Sequence, residues 1–196
     1  MRAPLLALAL LAAGGASAQP SNTRGLFLQV ALDGQSLNYD ADDFDETDDG
    51  GGLALRAGYG VSRVVTLYAG LSGARVDGET NGVINSEYDF GAGEIGARFH
   101  LLPSARLVPY LDVSLRGVAA TDEETSLEFR GGGIAFGGGV SYFVSPAVAL
   151  DAALRVGGGR FDEVEVGDAV TFNVEDSELD YGEGRLSLGL TFFPLR

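Results

Sequence analysis

The chain has 196 residues, 30 of them glycine, a formal net charge of −15 and no cysteine; all 13 basic residues are arginine. The length suits one domain, the acidic balance excludes a nucleic-acid-binding surface, and the missing thiols exclude a disulfide framework, a thiolate metal site and a cysteine nucleophile. A single histidine, His100, excludes a two-histidine metal site, and a hydrophobic content of 45% is too high for an acidic disordered chain.

In chain order, the first element is an export signal over residues 1–18. Arg2 supplies the positive end, Leu5–Ala13 the apolar run, and Ala16-Ser17-Ala18 an A-x-A cleavage site, so the mature domain is expected to cover residues 19–196. The apolar run is shorter than the ~20 residues a spanning helix needs. Everything that follows alternates with period two. Strands are predicted over Gly25–Tyr39, Gly52–Tyr59, Val64–Arg75, Tyr88–Leu101, Val108–Ala119, Gly132–Phe143, Ala147–Phe161 and Gly182–Phe193. Three connections are short (Gly60–Arg63, Leu102–Leu107, Val144–Pro146) and four are long and acidic (Asp40–Gly51, Val76–Glu87, Thr121–Gly131, Asp162–Tyr181). Strict alternation of short and long connections is the pattern of an even-stranded barrel with both termini on one side. The fold class is therefore all-β, an eight-stranded antiparallel up-and-down transmembrane barrel. The faces agree: the seventh strand has Val148, Leu150, Ala152, Leu154 and Val156 on one side and Ala149, Asp151, Ala153, Arg155 and Gly157 on the other. A soluble barrel would reverse this, with its polar face outside. An eight-stranded lumen must be filled by side chains, and the inward parity of Gly70, Gly96, Gly137 and Gly139 fits that crowding.

The charges sort accordingly. Of 28 acids, 23 fall in the long connections or their rims, seven in the first, four in each of the next two and eight in the last. The other five, Asp33, Glu94, Asp112, Asp151 and Glu183, share the polar strand face with five arginines, Arg56, Arg98, Arg116, Arg155 and Arg185. A carboxylate in a narrow lumen is tolerated when paired, and guanidinium pairs well. Facing residues of an antiparallel hairpin have a constant index sum. A sum of 210 sets Arg98 opposite Asp112 and Glu94 opposite Arg116, with Phe99–Leu111, Ala97–Val113 and Ile95–Leu115 on the apolar face. Two salt bridges are expected along this hairpin, and only diagonal contacts among Asp151, Arg155, Glu183 and Arg185. The cluster reads as a plug that rigidifies the barrel rather than a gate or proton path.

Arg24, Arg63, Arg106 and Arg196 mark the acid-free short-turn end, and Tyr59, Phe99, Tyr142 and Phe192 form an aromatic girdle beside it. Arg75, Arg130 and Arg160 point outward at the other rim and are candidate contacts for lipopolysaccharide phosphates. The alternative for them is solvation or pairing with acids of the connections. Asp40, Asp42, Asp43, Asp45, Glu46, Asp48 and Asp49 are candidate Ca²⁺ ligands, because calcium takes six to eight oxygens; the alternative is a solvated acidic loop. No catalytic residue is assigned. His100 sits at the short-turn end facing Tyr110, and Ser72, Ser114, Ser141 and Ser187 lie in no nucleophile motif.

Ala92-Gly93-Glu94-Ile95-Gly96-Ala97-Arg98-Phe99, Val108-Pro109-Tyr110-Leu111 and Gly137-Gly138-Gly139-Val140-Ser141-Tyr142-Phe143, with Ser145-Pro146 in the next turn, resemble the OmpA/OmpX-like eight-stranded outer-membrane barrel family. The likeness covers the barrel only; the peptidoglycan-binding domain of larger members is not represented, and Phe192-Phe193 is followed by Pro194-Leu195-Arg196. The resemblance implies the outer membrane of a Gram-negative-type bacterium, extracellular long loops, periplasmic termini and recognition by the barrel-assembly machinery. Outer-membrane lipid and lipopolysaccharide are the expected partners, with no nucleic acid, and the barrel is expected to be a monomer. The function expected is a non-enzymatic envelope or surface role. The alternatives are a narrow or gated pore for small solutes, a lipid-modifying enzyme, and a soluble exported barrel.

Overall fold

Residues that alternate between bulky apolar and small or charged side chains pair here into one continuous antiparallel sheet. The computed structural model describes residues 21, 23–41, 44–77, 87–122, 127–166, 170–173 and 180–194. Their strands are β1 (Gly25–Ala41), β2 (Phe44–Gly60), β3 (Val65–Asp77), β4 (Glu87–His100), β5 (Leu107–Asp122), β6 (Leu127–Ser145), β7 (Val148–Val166), β8 (Val170–Asn173) and β9 (Asp180–Phe192). Each long strand pairs with its neighbours in order, β7 pairs with both β6 and β9, and β9 pairs with β1. Eight long strands thereby close a barrel, as expected. Among the described residues no helix is long and apolar enough to cross a membrane.

The wall is inside-out relative to a soluble protein. Leu32, Leu71 and Leu154 are 67%, 69% and 60% exposed, whereas Arg155 and Arg185 are each 1% exposed. Exposed apolar residues form a continuous outer band, which only a lipid environment accommodates. Tyr59, Phe99 and Phe192 are exposed toward the short-turn end, and Tyr142 sits 4.8 Å beneath the Arg106 guanidinium, completing the predicted girdle.

The strands are longer than expected. The first acidic connection is largely a hairpin extension: β1 runs to Ala41 and β2 starts at Phe44, with Leu37 opposite Asp48 and Asp40 opposite Asp45. Asp and Glu are depleted in strands, and ladder pairing overrides that preference here. The last connection holds β8, which pairs only with the outer end of β7, Val164 opposite Phe172.

Inside, two apolar clusters bracket a polar middle. Toward the long connections, Leu37, Val76, Tyr88, Phe90, Phe161 and Tyr181 pack together with Val118. At the short-turn end, Phe27, Tyr68, Val108, Phe143, Ala149 and Phe193 do the same.

Candidate functional site: the charged lumen

Period-two alternation delivers charge to the lumen from six strands. Asp33 comes from β1, Arg56 from β2, Glu94 and Arg98 from β4, Asp112 and Arg116 from β5, Asp151 and Arg155 from β7, and Glu183 and Arg185 from β9. All ten are buried, as their parity predicts.

Pairing follows a rule that the hairpin argument does not contain. In register, Asp112 lies opposite Gly137, and Gly137 opposite Arg155. With no side chain on the strand between them, Arg155 crosses β6 and donates from Nε and Nη2 to the Asp112 carboxylate at 3.0 and 2.7 Å. The same arrangement recurs on the other wall. Arg56 faces Gly70, Gly70 faces Glu94, and Arg56 Nε donates to Glu94 Oε1 at 2.5 Å. An added Cβ at Gly137 would lie 2.5 Å from Arg155 Cγ, and one at Gly70 would lie 2.8 Å from Arg56 Cγ. Tyrosines use the same gaps, Tyr110 over Gly139 and Tyr68 over Gly96.

Two further contacts span the lumen. Arg185 on β9 donates through Nη2 to Glu94 on β4, the strand diametrically opposite, at 3.2 Å, and its Nη1 lies 3.6 Å from Asp33. Arg116 pairs with Glu183. Asp151 accepts hydrogen bonds from Tyr110 at 2.7 Å and Ser141 at 2.6 Å, and Arg98 stacks over the Tyr110 ring at 3.9 Å.

The register with index sum 210 is observed throughout β4–β5, including Phe99–Leu111, Ala97–Val113 and Ile95–Leu115. Of the two expected salt bridges, Arg98–Asp112 is present at 3.5 Å. Glu94–Arg116 is not: Glu94 is held by Arg56 and Arg185, and Arg116 reaches Glu183. Adjacent long side chains project side by side toward the axis, so apart from Arg98–Asp112 the close pairs form over a glycine or across the lumen. Diagonal pairing of β7 with β9 also does not occur, because Arg155 lies directly opposite Arg185 and each turns to another wall.

Outward, the three rim arginines each have a carboxylate: Arg75–Asp89 at 3.4 Å, Arg130–Glu128 at 2.7 Å and Arg160–Asp180 at 2.9 Å. Pairing with rim acids, the alternative weighed for them, is what the geometry shows; the guanidinium groups remain about half exposed or more. Of the seven candidate calcium ligands, Asp42 and Asp43 lie outside the described residues. Asp48 is buried and accepts a hydrogen bond from Tyr88 at 3.0 Å, while Asp49 is exposed. The side chains of Asp40, Asp45 and Glu46 likewise lie outside those described. His100 faces Tyr110 as expected, with Nε2 3.1 Å from Thr66 Oγ1, far from the acidic rim. Asp48, Tyr68 and Tyr88 join the lumen unforeseen; for Tyr68 and Tyr88 inward parity was the available signal, and Asp48 was hidden by its assignment to a loop.

A search of curated proteins finds no match. Among solved structures, Neisserial surface protein A is similar at 19% identity over 86% of this chain and 97% of that one, with a TM-score of 0.58. The outer membrane protein OprG from Pseudomonas aeruginosa is similar at 10% identity over 88% and 97%, with a TM-score of 0.55. Both likenesses show the fold. A family model described as outer membrane protein beta-barrel domain matches residues 6–192. Inside-out burial, barrel closure and this near-complete match agree, and the chain belongs to the outer membrane protein beta-barrel domain family.

Proposed function

We propose that the chain is a non-enzymatic outer-membrane protein that works through its outer surface and acidic crown, not through a channel. One observation carries this reading: Arg185 reaches Glu94 on the opposite wall at 3.2 Å, so side chains bridge the lumen at its middle. In the same reading, residues 1–18 are an export signal, the barrel-assembly machinery inserts the chain as a monomer, the short turns and termini are periplasmic, and the acidic hairpins face outside. Arg75, Arg130 and Arg160 contact lipopolysaccharide phosphates, with Asp89, Glu128 and Asp180 fixing their positions. Weak divalent-cation association with the first acidic hairpin belongs to the same crown, and calcium titration calorimetry tests it. A lipid-modifying enzyme needs a base near the outer leaflet, and the single histidine lies at the other end.

A second reading, a narrow gated pore, is favoured by one feature. Buried polar atoms without hydrogen-bond partners line the lumen on several strands, among them Asp33 Oδ1, Glu183 Oε2, Arg185 Nε, Ser187 Oγ and Arg116 Nε. Proteoliposome swelling in small sugars separates the two. Swelling no faster than in protein-free vesicles is expected; solute-dependent swelling would support the pore. Loss of co-purifying lipopolysaccharide on replacing the three rim arginines with glutamine is expected in native mass spectrometry, and unchanged retention would remove that partner.

A further inference from the structure

The short-turn end carries a feature that the lumen network does not explain. Before β1 begins, Ser21 and Thr23 are buried, at 2% and 1% exposure. Neither belongs to a strand. Ser21 Oγ donates to the Pro103 carbonyl at 2.6 Å and Thr23 Oγ1 to the Arg63 carbonyl at 2.7 Å. Arg63 lies in the β2–β3 turn, and Pro103 in the β4–β5 turn on the wall opposite β1. The chain therefore crosses the mouth of the barrel before entering it.

Two glycines are reserved for this path. Gly25, where the chain turns into β1, has φ 89°, a left-handed conformation that side chains resist. A side chain at Gly60, the last residue of β2, would collide with the Thr23 carbonyl. From the other terminus, Phe193 follows β9, donates its N–H to the Ala147 carbonyl at 2.8 Å and turns inward. Its ring stacks on Phe143 at 5.5 Å and lies 6.2 Å from Phe27. Immediately behind it Thr66, Arg98, His100 and Thr191 line a void of about 10 Å³, room for a single water, where His100 Nδ1 and Arg98 Nε have no hydrogen-bond partner. Such atoms are ordinarily served by water.

We propose that Ser21 and Thr23 form a latch that, with Phe193, closes the short-turn mouth of the barrel and sets whether water reaches the polar lumen side chains from that side. The two termini are thus one device, held by two hydroxyl-to-carbonyl hydrogen bonds that can be released without disturbing the barrel ladder.

The cysteine-free chain makes this directly measurable with single-cysteine variants and a membrane-impermeant thiol reagent, with heat-modifiable migration reporting the folded barrel. Thr191→Cys in the otherwise unaltered protein is expected to label at least tenfold more slowly than Ser104→Cys at the exposed β4–β5 turn; equal rates would overturn the latch. With Thr191→Cys as the lumen reporter, adding Thr23→Val or Gly60→Val is expected to speed labelling at least tenfold, while Thr23→Ser, which keeps the hydroxyl, leaves it slow. Labelling that stays slow in both folded variants would show that the mouth is closed without the latch, and would overturn the proposal.

Discussion

Arg155 shows how a buried charge is accommodated in this wall. Its guanidinium meets both oxygens of Asp112, and the glycine between them removes the obstacle. Taking two charges out of water is expensive, so such a pair is weak evidence of net stabilisation; breaking it is another matter. Arg155→Met strands Asp112 with only Arg98, at 3.5 Å, and is expected to lower stability by about 3–5 kcal/mol. Adding Asp112→Leu is expected to restore most of the loss, since the uncompensated carboxylate disappears with it. Urea unfolding in lipid vesicles measures both, and simple additivity of the two losses would show that the pair is not coupled. Tyr110→Phe removes one of the two donors to Asp151 and is expected to cost about 1–3 kcal/mol in the same assay.

At the scale of the strand, glycine serves two purposes that composition cannot separate. Inward glycines make room. Outward ones do not: on each barrel strand the position beyond the last bulky apolar residue is glycine, namely Gly34, Gly51, Gly73, Gly93, Gly117, Gly132, Gly158 and Gly184. At Gly34, Gly73, Gly117 and Gly184 an added Cβ would meet nothing within 4 Å. This girdle separates the apolar band from the charged rim. Gly73→Val and Gly117→Val are therefore expected to fold and to gain about 0.5–1 kcal/mol, the usual strand penalty of glycine. Gly137→Ala, pressed against Arg155 Cγ and the Leu154 carbonyl, is expected to lose about 1–3 kcal/mol. Unfolding midpoints decide, and an equal response at all three positions would contradict the distinction.

The same contrast explains what the residues disclose in advance. Period-two alternation is local, so it carried Asp33 through Arg185 to the lumen and Leu28 through Phe192 to the outside. The β4–β5 register followed from one hairpin, because five facing pairs agree on one sum. Partner choice did not. Arg56, Gly70 and Glu94 share a height only once two successive hairpins are registered, and Arg185 meets Glu94 only once the barrel is closed. The first acidic segment misled for a related reason: Asp48 reads as loop until pairing with Leu37 turns it inward to Tyr88.

For the whole molecule, the net charge of −15 is unevenly placed. The ten charges of the middle lumen balance, five against five, Asp48 lies buried nearer the rim, and the rest of the surplus lies at that rim. Apolar clusters close the lumen near both ends, and Arg185 bridges its middle. On the proposed function, the working surface is then the outside. Single-channel recording of the purified protein in planar bilayers tests this most directly. The account predicts a silent membrane at applied voltage, whereas stable, reproducible conductance steps from the unaltered protein would contradict it.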